Sequence, residues 1–462
     1  MDALARPEAA SLPLTAGRWQ RESRALITLG LPLIMTALSQ MAMSLTDAVM
    51  MGWLGAEALA AGTLAVHFVG FIFLIGFGVT AAVAPMAAQA IGARRFKDVR
   101  RAVRQGLWAA VAVAAPLMLL AWYSGSLLTL LGQDPATAAE SQRYLRAMIW
   151  GFLPALWYVV LSEFLAAHSR PVPALVVSLI AIVVNALGNY ALMFGNFGLP
   201  RLELVGSGIS TAIVDGFLFL GLLGFIAWDR RLRRYRILAR LWRPDWQRFF
   251  ELFRIGLPIA GALMAEMGLF FAATLLIGLF GTDQLAGHGI ATECVALVYM
   301  IPYGLAQAAT VRVGLAHGAR SPQQVRLAAW TAMIWSTSFG LLPAAAFWFL
   351  GPEIVGLFLD PARPENRAAA AFAVSFLQVA ALFQFVDALQ VVTMGALRGL
   401  KDTRVPMILA IIGYWGLGFT SAMVLALELD LEGRGAWIGF AVGLTAAAVM
   451  MQWRFRVLAR RV

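Results

Sequence analysis

GLPLIMTALSQMAMSLTDAVMMGWLGAEALA (residues 30–60) and GLPIAGALMAEMGLFFAATLLIGLFGTDQLA (residues 256–286) are two copies of one pattern, and together they decide the fold. Pro258 lies 226 residues after Pro32. At that spacing Gly30 matches Gly256, Leu31 matches Leu257, Met41 matches Met267, Gly55 matches Gly281, and Leu59-Ala60 match Leu285-Ala286. Further along, Gly78 matches Gly304, and the series closes with Gly92-Ala93-Arg94 against Gly318-Ala319-Arg320. Matches among small residues arise by chance in a Gly- and Ala-rich chain, but a gapless register ending in a matched tripeptide is hard to obtain that way.

Both copies consist largely of apolar runs of about 20 residues, the length that crosses a hydrocarbon core of roughly 30 Å. Across all 462 residues, 61% are hydrophobic and 13% charged, against roughly 25% charged in a soluble domain, which excludes an ordinary water-soluble fold. Backbone polar groups have no water partners in lipid, so each run reads as a helix; a barrel's alternating strands would not give such continuous stretches. The expectation is an all-α polytopic membrane protein with twelve transmembrane helices. Their starts fall near Ala25, Glu57, Arg100, Arg143, Pro171 and Gly206, then Phe249, Gln284, Gln323, Ala368, Arg404 and Gly435.

The loop charges check that count. Arg94, Arg95, Lys97, Arg100, Arg101 and Arg104 follow the second span, and seven arginines from Arg230 to Arg243 follow the sixth. Arg320 and Arg326 follow the eighth, Arg398, Lys401 and Arg404 the tenth, and Arg454, Arg456, Arg460 and Arg461 the last. The odd-numbered loops hold acids such as Asp134, Glu140, Asp283, Glu353, Asp360, Glu428, Asp430 and Glu432. The positive-inside rule then puts the even loops and both termini in the cytoplasm, with a bacterial inner membrane as the location. A formal net charge of +11 is thereby a topology signal, not a nucleic-acid surface. The single cysteine, Cys294, excludes an intramolecular disulfide framework and a Cys-rich metal site, and the polar stretch up to Arg24 has no removable signal peptide in it.

A repeat of six helices, an even number, gives both copies the same orientation, related by a pseudo-two-fold along the membrane normal. The expected organisation is a cytoplasmic N-terminal segment 1–24, an N-lobe 25–228, a basic cytoplasmic connector 229–248, a C-lobe 249–456 and a tail 457–462. Two lobes that rock to expose a central cleft to each side in turn make a carrier.

A charge at the bilayer centre costs about 2.5 to 3.5 kcal/mol even on the permissive insertion scale, so intramembrane acids are where function is sought. These are Asp47, Glu163, Asp215, Glu266, Glu293 and Asp387. Removal from water favours the neutral form of a carboxyl and a nearby cation favours the charged form, so one such group can bind a proton or a cationic ligand in competition. In the repeat Asp47 corresponds to Ala273 and Glu266 to Gln40, so the halves carry acids at non-equivalent places. Asn185 and Asn189 share one helix face at i,i+4 spacing. The plainer readings are structural acids satisfied by neighbouring hydroxyls for Asp47, Glu266 and Asp387, interhelical hydrogen bonds for Glu163 and Asp215, and helix glue for the two asparagines. The many Met and Phe residues, Met264, Met267, Phe270 and Phe271 among them, suit a pliable pocket or plain lipid contact.

Taken together, Thr46-Asp47-Ala-Val-Met-Met-Gly52, Asn185-Ala-Leu-Gly-Asn189-Tyr-Ala-Leu-Met-Phe-Gly195, Gly256-Leu-Pro258 leading to Glu266, and Val386-Asp387-Ala-Leu-Gln390 leading to Gly395-Ala-Leu-Arg-Gly399 and Lys401-Asp-Thr403 resemble the multidrug and toxic compound extrusion (MATE) transporters of the NorM type. The likeness runs from about Leu26 to Arg456. It implies efflux of cationic lipophilic drugs or dyes by a monomer in the lipid bilayer, with no cofactor, in exchange for H+ or Na+. It also implies proton and substrate binding at Asp47, Asn185 and Asn189 in the N-lobe, and cation coupling at Glu266 and Asp387 in the C-lobe, where a Na+ ion would sit. Phe383, next to Gln384, stands where sodium-coupled relatives often have Tyr, and Glu293 stands where a neutral polar residue is common. The coupling ion is therefore left open between H+ and Na+. The alternatives are a lipid-linked precursor flippase, against which the acidic character of the membrane-depth charges argues, and an intramembrane enzyme or receptor, for which His67, His168, His288 and His317 form no catalytic set.

Overall fold

The computed structural model describes residues 16–360 and 363–460. Residues 1–15 of the expected N-terminal segment, and Arg461 and Val462 of the expected tail, lie outside the described residues. Among the described residues twelve helices are long and apolar enough to cross a membrane: α1 (Ala16–Leu54), α2 (Ala56–Gly92), α3 (Phe96–Trp122), α4 (Pro135–Ala167), α5 (Val172–Phe194), α6 (Glu203–Trp228), α7 (Trp246–Gly278), α8 (Thr282–Gly318), α9 (Pro322–Phe349), α10 (Pro364–Gly399), α11 (Arg404–Glu428) and α12 (Glu432–Ala459). The chain is an all-α, multi-pass membrane protein.

Several helices start earlier than their apolar runs. α1 begins at Ala16 instead of near Ala25, because Arg and Glu are good helix formers and carry the helix beyond its apolar part. Arg312 of α8 then grips Glu22 through Nε at 2.8 Å, with a second contact from Nη2. α4 begins at Pro135 instead of near Arg143: Asp134 accepts the amide of Thr137 at 3.0 Å, and a proline at the first helical position loses no hydrogen bond there.

The repeat is visible in backbone geometry. Gly55 caps α2 at φ 125° and its counterpart Gly281 caps α8 at φ 110°, a region closed to residues with a Cβ. Arg94 and Arg320, the matched residues after those helices, both turn left-handed at φ 58° and 55°. Short helices Ser124–Leu130 and Gly351–Gly356 follow α3 and α9 at nearly the same offset.

The chain resolves into two compact units. One holds the residues up to Ile34, Ala88–Arg94 and everything from Ala265 onward; the other holds Met35–Ala87 and Arg95–Met264. α1 passes from one to the other after Ile34 and α7 after Met264. Within the first unit Gly304 of α8 has no room for a Cβ against Ile34 of α1; within the second, Gly78 of α2 is as tightly placed on Ala260 of α7. The 226-residue offset converts one contact into the other, so each half's second helix packs on the first helix of its repeat partner. The offset also relates two contacts between the second helices themselves, where a Cβ on Gly92 of α2 would meet the Leu315 carbonyl of α8 and one on Gly318 of α8 the Gln89 carbonyl of α2.

Candidate functional site

In the second unit α1, α4, α5 and α6 converge on Asp47. Asn185 and Asn189, one turn apart on α5, both donate their side-chain Nδ2 to Oδ1 of Asp47, at 2.9 and 2.5 Å. The asparagines are 1% and 0% exposed, whereas Asp47 is half-buried. The Oδ1 atoms of both amides are buried without a hydrogen-bond partner. Each amide thus turns its donor to the carboxylate and leaves its own oxygen as an unengaged acceptor. Beside it, Thr46, Val49, Trp53, Ala186 and Tyr190 line an open and mainly apolar recess.

Tyr144 of α4 is absent from the sequence expectations. It is 1% exposed, lies close to Ser207 and Thr211 of α6, and is within electrostatic reach of both Asp47 and Asp215. Asp215, expected to make an interhelical hydrogen bond, makes none among the described residues. It sits half-buried against Gly151, where a Cβ would come within 2.6 Å of its Oδ2. Glu163 is buried near Tyr158.

The first unit carries the second cluster. Glu266 on α7 and Asp387 on α10 are 8% and 4% exposed and lie within electrostatic reach of each other. Tyr299 of α8 lies beside Glu266, and Arg398 of α10 is a charged neighbour of Glu266. Tyr414 of α11, near both acids, accepts a hydrogen bond from Gln390 at 2.6 Å. Tyr414 stands in a π-helical stretch, Ile412–Phe419, the wide turn that often marks functional positions. Gln384 is fully buried with neither amide atom paired, and Phe383 stacks on Trp437 at 6.3 Å. Glu293 is exposed on α8 and is not among the charged neighbours of Glu266 or Asp387.

Sequence reading therefore missed Tyr144, Tyr299, Tyr414 and Arg398. Three are aromatic residues in apolar runs, and Arg398 read as a loop charge; their polar partners come from other helices, which no spacing reveals.

The MatE family model matches residues 32–191 and again 258–424, so its two matches begin at Pro32 and Pro258. "Probable multidrug resistance protein NorM" of Mesorhizobium japonicum is 43% identical over 439 residues, 95% of this chain and 94% of that protein. The protein of the same description from Brucella suis is 41% identical, covering 96% and 94%. Among solved structures, the eukaryotic MATE transporter AtDTX14 superposes with a TM-score of 0.86 at 24% identity, covering 96% of this chain and 98% of that one. The Vibrio cholerae MATE transporter VcmN gives 0.87 at 17% identity, covering 96% and 99%. At these identities the structures speak for the fold alone.

Proposed function

The chain belongs to the MatE family, and on that premise we propose that it is a secondary antiporter that exports cationic, lipophilic compounds in exchange for H+ or Na+. It is a multidrug efflux transporter by its kinship with the NorM proteins. The observation that carries the mechanism is the double amide grip on Oδ1 of Asp47, which fixes the carboxylate of a half-buried residue while Oδ2 takes no part in that grip. The fixed charge attracts an organic cation, and the apolar recess with Trp53 and Tyr190 accepts its greasy body, aromatic faces adding cation–π attraction. Glu266 and Asp387 take the incoming ion. Two buried carboxyl groups within electrostatic reach of each other offer their oxygens to a proton or a sodium ion. Because the two sites sit at non-equivalent places in the repeat, ion entry at one biases the alternating-access equilibrium that governs release at the other.

Orientation follows from the arginine-rich loops: both termini and the connector face the cytoplasm of a bacterial inner membrane. The test is dye efflux from everted vesicles under a pure pH gradient and, separately, a pure sodium gradient. Transport driven by at least one supports the antiport, and transport indifferent to both while consuming ATP overturns it.

A further inference from the structure

The connector between α6 and α7 is a fitted strap. Asp229 accepts the amides of Arg231 and Leu232 at 2.8 and 3.0 Å and the Arg170 guanidinium at 2.6 Å, which turns the chain sharply after α6. Tyr235 then meets Phe96 edge-on at 6.2 Å and His168 at 4.7 Å. Farther along, Arg104 donates to the Arg240 carbonyl at 3.2 Å and Trp108 to the Leu241 carbonyl at 2.7 Å. The strap thus lies across the first turns of α3 and closes a recess of about 420 Å³ lined by Phe96, Lys97, Arg100, Arg231, Arg234 and Tyr235.

Four cations face this recess, and the acids around it are engaged elsewhere. Asp229 is taken by Arg170; Asp98 by Arg101 and Arg248 at 3.8 and 3.5 Å; Asp245 by Arg101 at 3.7 Å; Glu251 by Arg248 at 2.6 Å. Among the described residues none of Lys97, Arg100, Arg231 or Arg234 has an acid within ion-pair distance. Nε of Arg100 is buried without a partner, as is Nε of Arg104, a residue only 6% exposed. Gathering four like charges is unfavourable unless an anion joins them, and arginine forks suit the oxygens of a phosphate.

The aromatic residues of the strap and the helix ends it joins indicate the source of that phosphate. Trp228, Trp242, Trp246 and Phe250 stand 63% to 82% exposed at the adjoining ends of α6 and α7 and in the strap, as aromatic residues do at headgroup depth. We propose that this recess binds the phosphate headgroup of an anionic phospholipid from the leaflet on the side of the basic loops. The proposal stands apart from the transport reading, because binding is measured without transport.

Delipidated protein in detergent is titrated with short-chain phosphatidylglycerol, phosphatidylcholine or inorganic phosphate while the thermal unfolding midpoint is followed. Phosphatidylglycerol raises the midpoint saturably and the other two do not. Combining Lys97→Gln, Arg231→Gln and Arg234→Gln weakens that apparent affinity about a hundredfold. The charge-matched control Arg230→Gln, Arg233→Gln, Arg236→Gln, drawn from the same strap outside the recess, keeps it. Should the first triple variant fail to fold, Lys97→Gln alone leaves the strap intact and weakens binding about fivefold. An equal response to phosphatidylcholine, full reproduction by inorganic phosphate, or equal loss in the control overturns the proposal.

Discussion

Asn189 donates its amide to Oδ1 of Asp47 at 2.5 Å, and the same oxygen receives Asn185 at 2.9 Å, so one carboxylate oxygen is fully committed to α5. Hydrogen bonds to a charged group are worth about 1.5 to 3 kcal/mol. Asn189→Ala is expected to weaken binding of a monovalent cationic dye by about ten- to a hundredfold, with Asn185→Ala similar. Fluorescence titration of the purified variants checks this, alongside a thermal scan showing that each remains folded.

How much of this was legible in the sequence varied by residue. Twelve spans and the asparagine pair could be read because apolar run length and i,i+4 spacing are properties of one segment at a time; the grouping of Asp47 with that pair came only from the family resemblance. The repeat, too, was readable, and the positive-φ caps at Gly55 and Gly281 give it a physical basis. Tyr144, Tyr299 and Tyr414 could not be picked out, since a tyrosine in a lipid-spanning run looks like any other aromatic residue until a second helix supplies Asp47 or Glu266. The early start of α1 was hidden for the opposite reason: its first turns are polar, and Arg312, which holds Glu22, comes from α8.

Tyr299 and Glu266 give a second expectation. Glu266→Gln and Asp387→Asn are each expected to lower ion-driven dye transport on the order of tenfold or more, while leaving dye binding without a gradient within about twofold. Tyr299→Phe removes the hydroxyl beside Glu266 and is expected to cost about two- to tenfold in transport. Proteoliposomes with an imposed gradient measure the first quantity and equilibrium binding the second.

The paired glycines make a symmetric prediction. A Cβ on Gly92 would lie 2.1 Å from the Leu315 carbonyl oxygen, and one on Gly318 equally close to that of Gln89. Gly92→Ala and Gly318→Ala are each expected to destabilise by about 1 to 3 kcal/mol, since backbone cannot yield as a flexible side chain would. Gly224→Ala, with open space around it, is the control, and thermal unfolding midpoints decide.

His168, at the end of α4, contributes a pH dependence. Burial, with the nearby Arg170 guanidinium adding to it, holds its imidazole below the ordinary value, against the contrary pull of the Phe164 carbonyl. As pH falls below about 6.5 the unfolded chain binds a proton that the folded one resists. The stability associated with this site is therefore complete above that pH and declines below it. Asp229 behaves differently: the Leu232 amide foremost, then the Arg231 amide and Arg170, hold its carboxyl below the usual carboxylate range, so its clasp persists to more acid pH. Between pH 7.5 and 5.5 the thermal midpoint is expected to drop further in the native protein than in His168→Phe.

The central claim is that Asp47 is where the organic cation is held. Equilibrium binding of a fluorescent lipophilic cation to purified, folded Asp47→Asn, compared with the native protein and with Asp387→Asn, tests it most directly. Binding is expected to fall by tenfold or more at Asp47→Asn, on the order of one charge-assisted contact, and to stay near-native at Asp387→Asn. Native affinity in the Asp47→Asn protein would contradict it.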